Sequence, residues 1–166
     1  MKCKIVKLNQ FSGCGASIYT AIIDDSQKSL FDGFLVENLI SYKSELLDII
    51  ARLKTIGNKT GARETYFKHK EGKPGDGVCA LYDLPSKNLR LYCIRYGTNL
   101  LILGGGGFKP KHIKSLQDDP KLKKENYSLR DISAHITSRI CNGDIKWSND
   151  QMDLVGELEF NTDDYE

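Results

Sequence analysis

The feature that most constrains the fold is a pair of apolar segments separated by three residues. The first, Leu89–Tyr96, alternates, so that Arg90 and Tyr92 project from the face opposite the leucines. This period of two is typical of a half-buried strand. Residues 100–103 are apolar without interruption, which is typical of a strand covered on both faces. Because a short connection containing Gly97 joins the two segments, the sequence predicts a β-hairpin at the centre of a sheet.

Flanking periodicities predict the remaining elements. Alternating segments indicate an N-terminal hairpin and two further strands, whereas apolar residues at helical spacing indicate two early helices and one late helix. The late helix is expected to open at Ser128, with Asp131 three residues on as in a capping box. The predicted strands are 4–8, 17–23, 64–70 and 78–84, and the two early helices span 29–38 and 41–56.

This order of elements predicts an α+β fold. Its sheet is expected to be an antiparallel meander, with the two N-terminal helices and the C-terminal helix packed on one face and the opposite face left open. The N-terminal hairpin, residues 1–25, is predicted to be an extension of this domain. Four consecutive glycines, Gly104 to Gly107, follow the second central strand. They lack the spacing of a Walker-type phosphate loop and are predicted to allow a sharp turn at the strand end or the close approach of a ligand.

Charge divides the chain into a basic body and an acidic end. Residues 144–166 hold eight acidic residues and one lysine, which gives a charge of −7. Because the net charge of the whole chain is +2, residues 1–143 carry a charge of +9. We therefore expect a single domain over 1–143 and an acidic C-terminal segment over 144–166. A basic body indicates a polyanionic partner. The acidic segment is expected either to fold back over the Arg90 face or to be a disordered end beside an ordinary solvated basic surface.

Other compositional features exclude several classes of protein. No apolar run approaches the ~20 residues that a membrane-spanning helix needs, and no signal peptide is expected at the N-terminus. The five cysteines are scattered, without the spacing of a zinc site or of a disulfide framework. We expect reduced thiols in a cytoplasmic protein that holds neither metal nor cofactor.

From about Phe31 to Ile140 the chain resembles the RelE/HigB superfamily of toxins from type II toxin–antitoxin systems. The likeness includes the two helices before a meander and the sequence Leu-Arg-Leu-Tyr over residues 89–92. It also includes Phe-Lys-Pro-Lys over 108–111 and the terminal helix around residues 131–134. The resemblance implies a metal-independent ribonuclease that cleaves mRNA in the ribosomal A site, with RNA or the ribosome and a small antitoxin protein as its partners.

The resemblance and the chemistry of RNA cleavage together select candidate site residues. Cleavage requires stabilisation of a pentacovalent phosphate and the transfer of protons to and from oxygen atoms. Arg90 is the candidate phosphate clamp, because a guanidinium can hold two phosphate oxygens at once. Lys109 is expected to add positive charge, and Tyr92 to stack on a base or to transfer a proton. Four further residues are expected to contact RNA, namely Lys68, Lys70, Lys111 and His112.

Each candidate also has a plainer interpretation. In this interpretation, Arg90 only pairs with Asp83 or Glu64 on a neighbouring strand, and the lysines at 109 and 111 are an ordinary solvated pair. His69 is predicted to be packed in the core beside Phe67. At the level of the whole chain, one alternative is a non-catalytic module of the same superfamily that acts through a protein partner. Another is an interaction protein whose basic face docks an acidic partner.

Overall fold

A computed structural model describes residues 1–69, 71–113 and 115–163 of the chain. Nine strands, three α-helices and three short helical turns are assigned within these residues. None of the described helices is both long and apolar enough to cross a membrane. The strands are β1 (Lys2–Lys7), β2 (Ser17–Ile23), β3 (Phe67–Lys68), β4 (Val78–Tyr82), β5 (Leu89–Tyr96), β6 (Leu100–Phe108), β7 (Ile145–Trp147), β8 (Leu154–Gly156) and β9 (Glu159–Asn161). The α-helices are α1 (Leu30–Asn38), α2 (Lys43–Thr55) and α3 (Pro120–Asn142), and the turns are Ile56–Thr60, Glu64–Tyr66 and Leu116–Asp118.

The central hairpin is confirmed. Strands β5 and β6 pair antiparallel across Gly97, with Ile94 opposite Ile102. The register shifts between Leu91 and Cys93, so that β5 carries an irregularity of the β-bulge kind at this point. Strand β6 continues beyond the predicted residues 100–103 and runs through all four glycines to Phe108.

The prediction of an antiparallel meander is wrong, because the sheet is mixed. Seven strands lie in the order β3-β4-β5-β6-β2-β1-β9, and β2 runs parallel to β6 with Ile18 opposite Leu101. The N-terminal hairpin therefore contributes two interior strands of the sheet. Alternation of apolar and polar residues predicts that a segment is a strand, but it does not predict which strand pairs with it. The pairing of β2 with β6 joins segments about 80 residues apart in the chain.

The prediction that all helices cover one face is also wrong. Helices α1 and α2 pack on one face of the sheet, against a cluster that includes Leu91 and Leu101. Helix α3 packs on the opposite face, against a cluster that includes Tyr92 and Ile102. Both faces of β5 and β6 are apolar, and burying them requires a layer of helices on each side. We call these surfaces the α1/α2 face and the α3 face.

Helix α3 begins eight residues before the predicted start at Ser128. The Asp119 carboxylate accepts hydrogen bonds from the backbone N–H groups of Lys121 and Leu122, each at 3.0 Å, and Pro120 occupies the first turn. An aspartate cap followed by proline is a strong helix start. The helix ends at Gly143, which has a φ of 84°. In α1, the predicted start is confirmed, because Ser29 and Asp32 form a capping box.

The four glycines lie inside β6 and are buried, so the predicted turn at this point is wrong. A Cβ atom on Gly104 would lie 3.0 Å from the Leu129 side chain of α3. A Cβ atom on Gly106 would lie 1.8 Å from the backbone oxygen of Arg90 on the neighbouring strand. The glycines thus allow β6 to approach both helix α3 and the irregular part of β5.

The described part of the acidic segment is folded. Strands β7 and β8 form a small antiparallel pair, and β9 adds to the outer edge of the sheet beside β1. The Arg139 guanidinium lies 4.4 Å from the Phe160 ring centre, and the Trp147 ring contacts the Tyr96 ring edge to face. Ile145, Leu154 and Phe160 belong to the apolar cluster of the α3 face, from which Tyr92 also projects. The described residues of this segment therefore pack on the α3 face but do not line the cavities that Arg90 borders, so the hypothesis that the segment covers Arg90 is wrong for residues 144–163.

Candidate functional site

A cavity of about 300 Å³ opens on the α3 face, where strand β5, the chain beyond β3 and the chain beyond β6 meet helix α3. Three of the predicted site residues, Arg90, Tyr92 and Lys109, line this cavity together with the predicted RNA-binding residue Lys68. The lining also includes two charged residues that sequence reasoning missed, Glu71 and Arg130, and the polar residues His69, Ser115 and Gln117. We call this space the first cavity.

Arg90 is held at the mouth of the first cavity by backbone and aromatic contacts. Its Nη1 donates to the backbone oxygen of Lys87 at 2.5 Å and to that of Leu89 at 3.2 Å. The guanidinium carbon lies 5.1 Å from the centre of the Tyr82 ring, within the range of a cation–π interaction. The buried Nε has no hydrogen-bond partner among the described residues. The described contacts of Arg90 thus do not include the ion pair with Asp83 or Glu64 that the plainer interpretation expected.

Tyr92 forms the floor of the first cavity. Its side chain is only 1% exposed, because it also belongs to the apolar cluster beneath α3. Burial raises the pKa of the phenol, and the negative charge of Glu71 adds to this shift. The hydroxyl is therefore protonated at neutral pH, which suits it to donating a hydrogen bond and not to accepting a proton as a base.

Lys109 and Lys68 bring two ammonium groups into the same space. Burial, together with the positive charges of Lys68 and Arg90, lowers the pKa of Lys109, while Glu71 acts in the opposite direction. Like charges that are close together and partly desolvated repel one another. An anion bound between them would relieve this repulsion.

Glu71 is the carboxylate of the first cavity. Its side chain is 10% exposed and pairs with the Lys68 ammonium at 3.3 Å. Two side chains of α3 hold its backbone oxygen, since Asn126 Nδ2 donates to it at 2.9 Å and Arg130 Nη2 at 2.7 Å. The sequence signal for this contact is a polar stripe on α3, in which Asn126, Arg130 and Ser133 lie at helical spacing beside the apolar stripe.

The first cavity is strongly positive. Among the described residues, four cationic side chains and one carboxylate line it, which gives a net charge of +3 with histidine neutral. Such a site suits phosphate, since Arg90 can hold phosphate oxygens and Lys109 can stabilise additional negative charge. Tyr92 can donate a hydrogen bond to an oxygen atom, and Glu71 is a carboxylate able to accept a proton.

The remaining predicted residues are distributed differently. Lys111 lines a second, adjoining cavity, whereas His112 is exposed and is not among the described residues that line either cavity. Lys70 lies outside the described residues. His69 is exposed and lines the first cavity, so its predicted place in the core is wrong; its Nε2 lies 2.8 Å from the backbone oxygen of Glu64.

Comparisons of the chain with protein-family models, with curated proteins and with solved structures found no match. Its function is therefore inferred from the chemistry of the cavity.

Proposed function

We propose that this protein binds RNA through the phosphate backbone at the first cavity. The observation that carries the proposal is the convergence of four cationic side chains from separate parts of the chain on one space, namely Lys68, Arg90, Lys109 and Arg130. Glu71 is the one carboxylate among the described residues that line this space. Phosphate contacts from lysine and arginine supply most of the affinity of proteins for nucleic acids that does not depend on sequence.

Within this proposal, the protein acts in the cytoplasm as the toxin of a RelE/HigB-type toxin–antitoxin pair. It would cleave mRNA on the ribosome without a metal ion and be neutralised by a small antitoxin. The residue types support this reaction, because Arg90 and Lys109 can stabilise the charge of a pentacovalent phosphate. Glu71 supplies a carboxylate able to accept a proton, and the neutral phenol of Tyr92 is able to donate a hydrogen bond.

A second candidate function is RNA or protein binding without catalysis. The observation in its favour is that the Arg90 guanidinium is committed to two backbone oxygens and that Tyr92 is almost fully buried. In this second candidate, a protein partner would dock at the α1–α2 corner. There Ile40 is 95% exposed, and three other large aliphatic side chains are about half exposed, namely Val36, Leu39 and Leu47.

Controlled expression in a bacterial host tests the proposal. The wild-type chain is expected to arrest growth and Arg90→Ala to relieve the arrest, because the guanidinium is the centre of the phosphate site. Arg63→Ala, which removes an exposed arginine away from the cavity, is the matched control and should arrest growth like the wild type.

Binding of the purified protein to single-stranded RNA separates the two candidates. RNA binding that depends on Arg90, without growth arrest or cleavage, favours the non-catalytic module. An affinity for RNA that is negligible, or that Arg90→Ala leaves unchanged, contradicts RNA binding at the first cavity, with or without catalysis, and leaves only the module that binds a protein partner.

A further inference from the structure

A second cavity of about 270 Å³ adjoins the first cavity. Arg90 and Lys109 line both cavities, and Lys87 and Lys111 line the second one alone. The backbone N–H of Lys109 donates to the backbone oxygen of Asn88 at 2.7 Å, which fixes the chain beyond β6 beside the β4–β5 connection. The lysines of the second cavity are therefore brought together by a defined contact between these two segments.

A cation of the second cavity, Lys87, and a cation common to both cavities, Arg90, contact the same aromatic ring. The Lys87 ammonium lies 5.4 Å and the Arg90 guanidinium 5.1 Å from the centre of the same ring, that of Tyr82. No carboxylate is among the described residues that line the second cavity. Counting only residues that the structure describes, six cationic side chains and one carboxylate line the two cavities and give a net charge of +5, so a single phosphate group leaves most of this charge unneutralised.

The sharing of Arg90 and Lys109 suggests how a larger ligand would lie. An anion in either cavity contacts these two side chains. In a ligand with one charged group in each cavity, Arg90 and Lys109 would lie between the two groups. A nucleic-acid strand carries one phosphate per nucleotide along a continuous backbone, so that successive phosphates can occupy adjoining basic sites.

We propose that the two cavities form one continuous site for at least two consecutive phosphates of an RNA strand. Lys68 and Arg130 face one phosphate, Lys87 and Lys111 face the next, and Arg90 and Lys109 lie between them. This inference rests on the proposed function and adds that the ligand is an oligonucleotide, bound more tightly than a mononucleotide.

Binding of two ligands to the full-length protein tests this inference. The ligands are adenosine monophosphate, which carries one phosphate group, and a single-stranded tetraribonucleotide. Lys111→Ala is expected to weaken tetranucleotide binding about five-fold and mononucleotide binding by a smaller factor, because the first cavity remains intact for a single phosphate group. It should also reduce the slope of log affinity against log salt by about 0.7, the value for one lost contact to a single strand.

Matched variants complete the design. Lys87→Ala should behave like Lys111→Ala, whereas Lys68→Ala should weaken the binding of both ligands. Lys4→Ala, an exposed lysine on β1, should change neither affinity, and thermal unfolding of each variant establishes that it is folded.

The outcomes distinguish this inference from the proposed function. Tetranucleotide binding that depends on Lys68 and Arg90 but is indifferent to Lys87 and Lys111, in affinity and in salt slope, overturns the two-phosphate site and leaves the proposed function standing. A wild-type protein that binds neither ligand overturns the proposed function itself.

Discussion

Lysines near the two edges of the seven-stranded sheet differ in whether they form ion pairs. At the edge formed by β1 and β9, which we call the acidic edge, the Lys2 ammonium lies 2.8 Å from Glu159 and 3.1 Å from Asp25. At the same edge, Lys7 lies 2.9 Å from Asp153. Around the two cavities, at what we call the cationic end, Lys68 pairs with Glu71 at 3.3 Å. The described ion pairs include none for Lys87, Lys109 or Lys111.

This difference shows where the acidic segment and the basic residues of the sequence lie in the folded protein. Within residues 144–163, the acidic segment does not line the cavities of the cationic end; its strand β9 pairs with β1, where Glu159 lies beside Lys2. The described residues that line the two cavities keep a net charge of +5. Ion pairs on the surface contribute little stability. The main consequence of the acidic edge is therefore that its carboxylates pair with lysines at that edge and not with the cations of the cavities.

The largest expected effect comes from disturbing the strand that shapes the cationic end. Gly106→Val should destabilise the protein by at least about 3 kcal/mol, because its Cβ would collide with backbone that cannot rotate away. The added atom would lie 1.8 Å from the Arg90 oxygen. Chemical denaturation measures this change. Gly33→Ala is the control, since a Cβ there meets nothing within 4 Å. It should stabilise the protein by about 0.5–1 kcal/mol, as expected for alanine in a helix.

Next in size is a change that affects the acidic edge alone. Arg139 is 4% exposed, lies over the Phe160 ring and donates to the Asn161 oxygen at 3.1 Å. Arg139→Ala should destabilise the protein by about 2–3 kcal/mol, because it removes a buried cation–π contact and a charged hydrogen bond. The RNA affinity of the folded variant should equal that of the wild type. A marked loss of RNA affinity, measured below the unfolding transition, would show that the two sides are not independent.

A smaller effect is expected from removing the carboxylate of the first cavity. Glu71→Gln should strengthen binding of a single-stranded RNA about five-fold, since about 1 kcal/mol of repulsion from the ligand is removed. The amide is nearly isosteric, and the backbone oxygen of residue 71 keeps its contacts with α3. Fluorescence anisotropy measures the affinity, with the exposed Glu64→Gln as control. Weaker binding by Glu71→Gln would mean that the carboxylate orders Lys68 for the ligand.

The smallest expected effect is a pH dependence of RNA affinity at the cationic end. The pKa of Lys109 lies below its ordinary value of 10.5 because of burial and of the neighbouring Lys68 and Arg90 charges, with Glu71 opposing them. A bound anion favours the protonated amine and raises this pKa. RNA affinity should therefore be highest below the pKa that Lys109 has in the free protein, and it should decrease as the pH rises through that pKa. Lys109→Arg should move the decrease to higher pH in a titration of RNA binding, and an unchanged profile would exclude Lys109 as its source.

The sequence predicts parts of the site because its strand alternation is local. Arg90 and Tyr92 lie on the same face of β5, as the period of two requires, and Lys109 follows the neighbouring strand. The contributions of Glu71 and Arg130 were not predictable in this way. They depend on α3 covering the face that was expected to be open, and that placement results from packing between segments distant in the chain.

By itself, the sequence determined the central hairpin, helices α1 and α2 and the faces of β5, because hydrophobic periodicity and capping residues act over a few positions. Only the tertiary structure decided that β2 pairs parallel with β6, that α3 covers the second face and that the acidic segment docks on β1. Periodicity specifies that an apolar face must be buried but not which element buries it. That choice depends on the whole core.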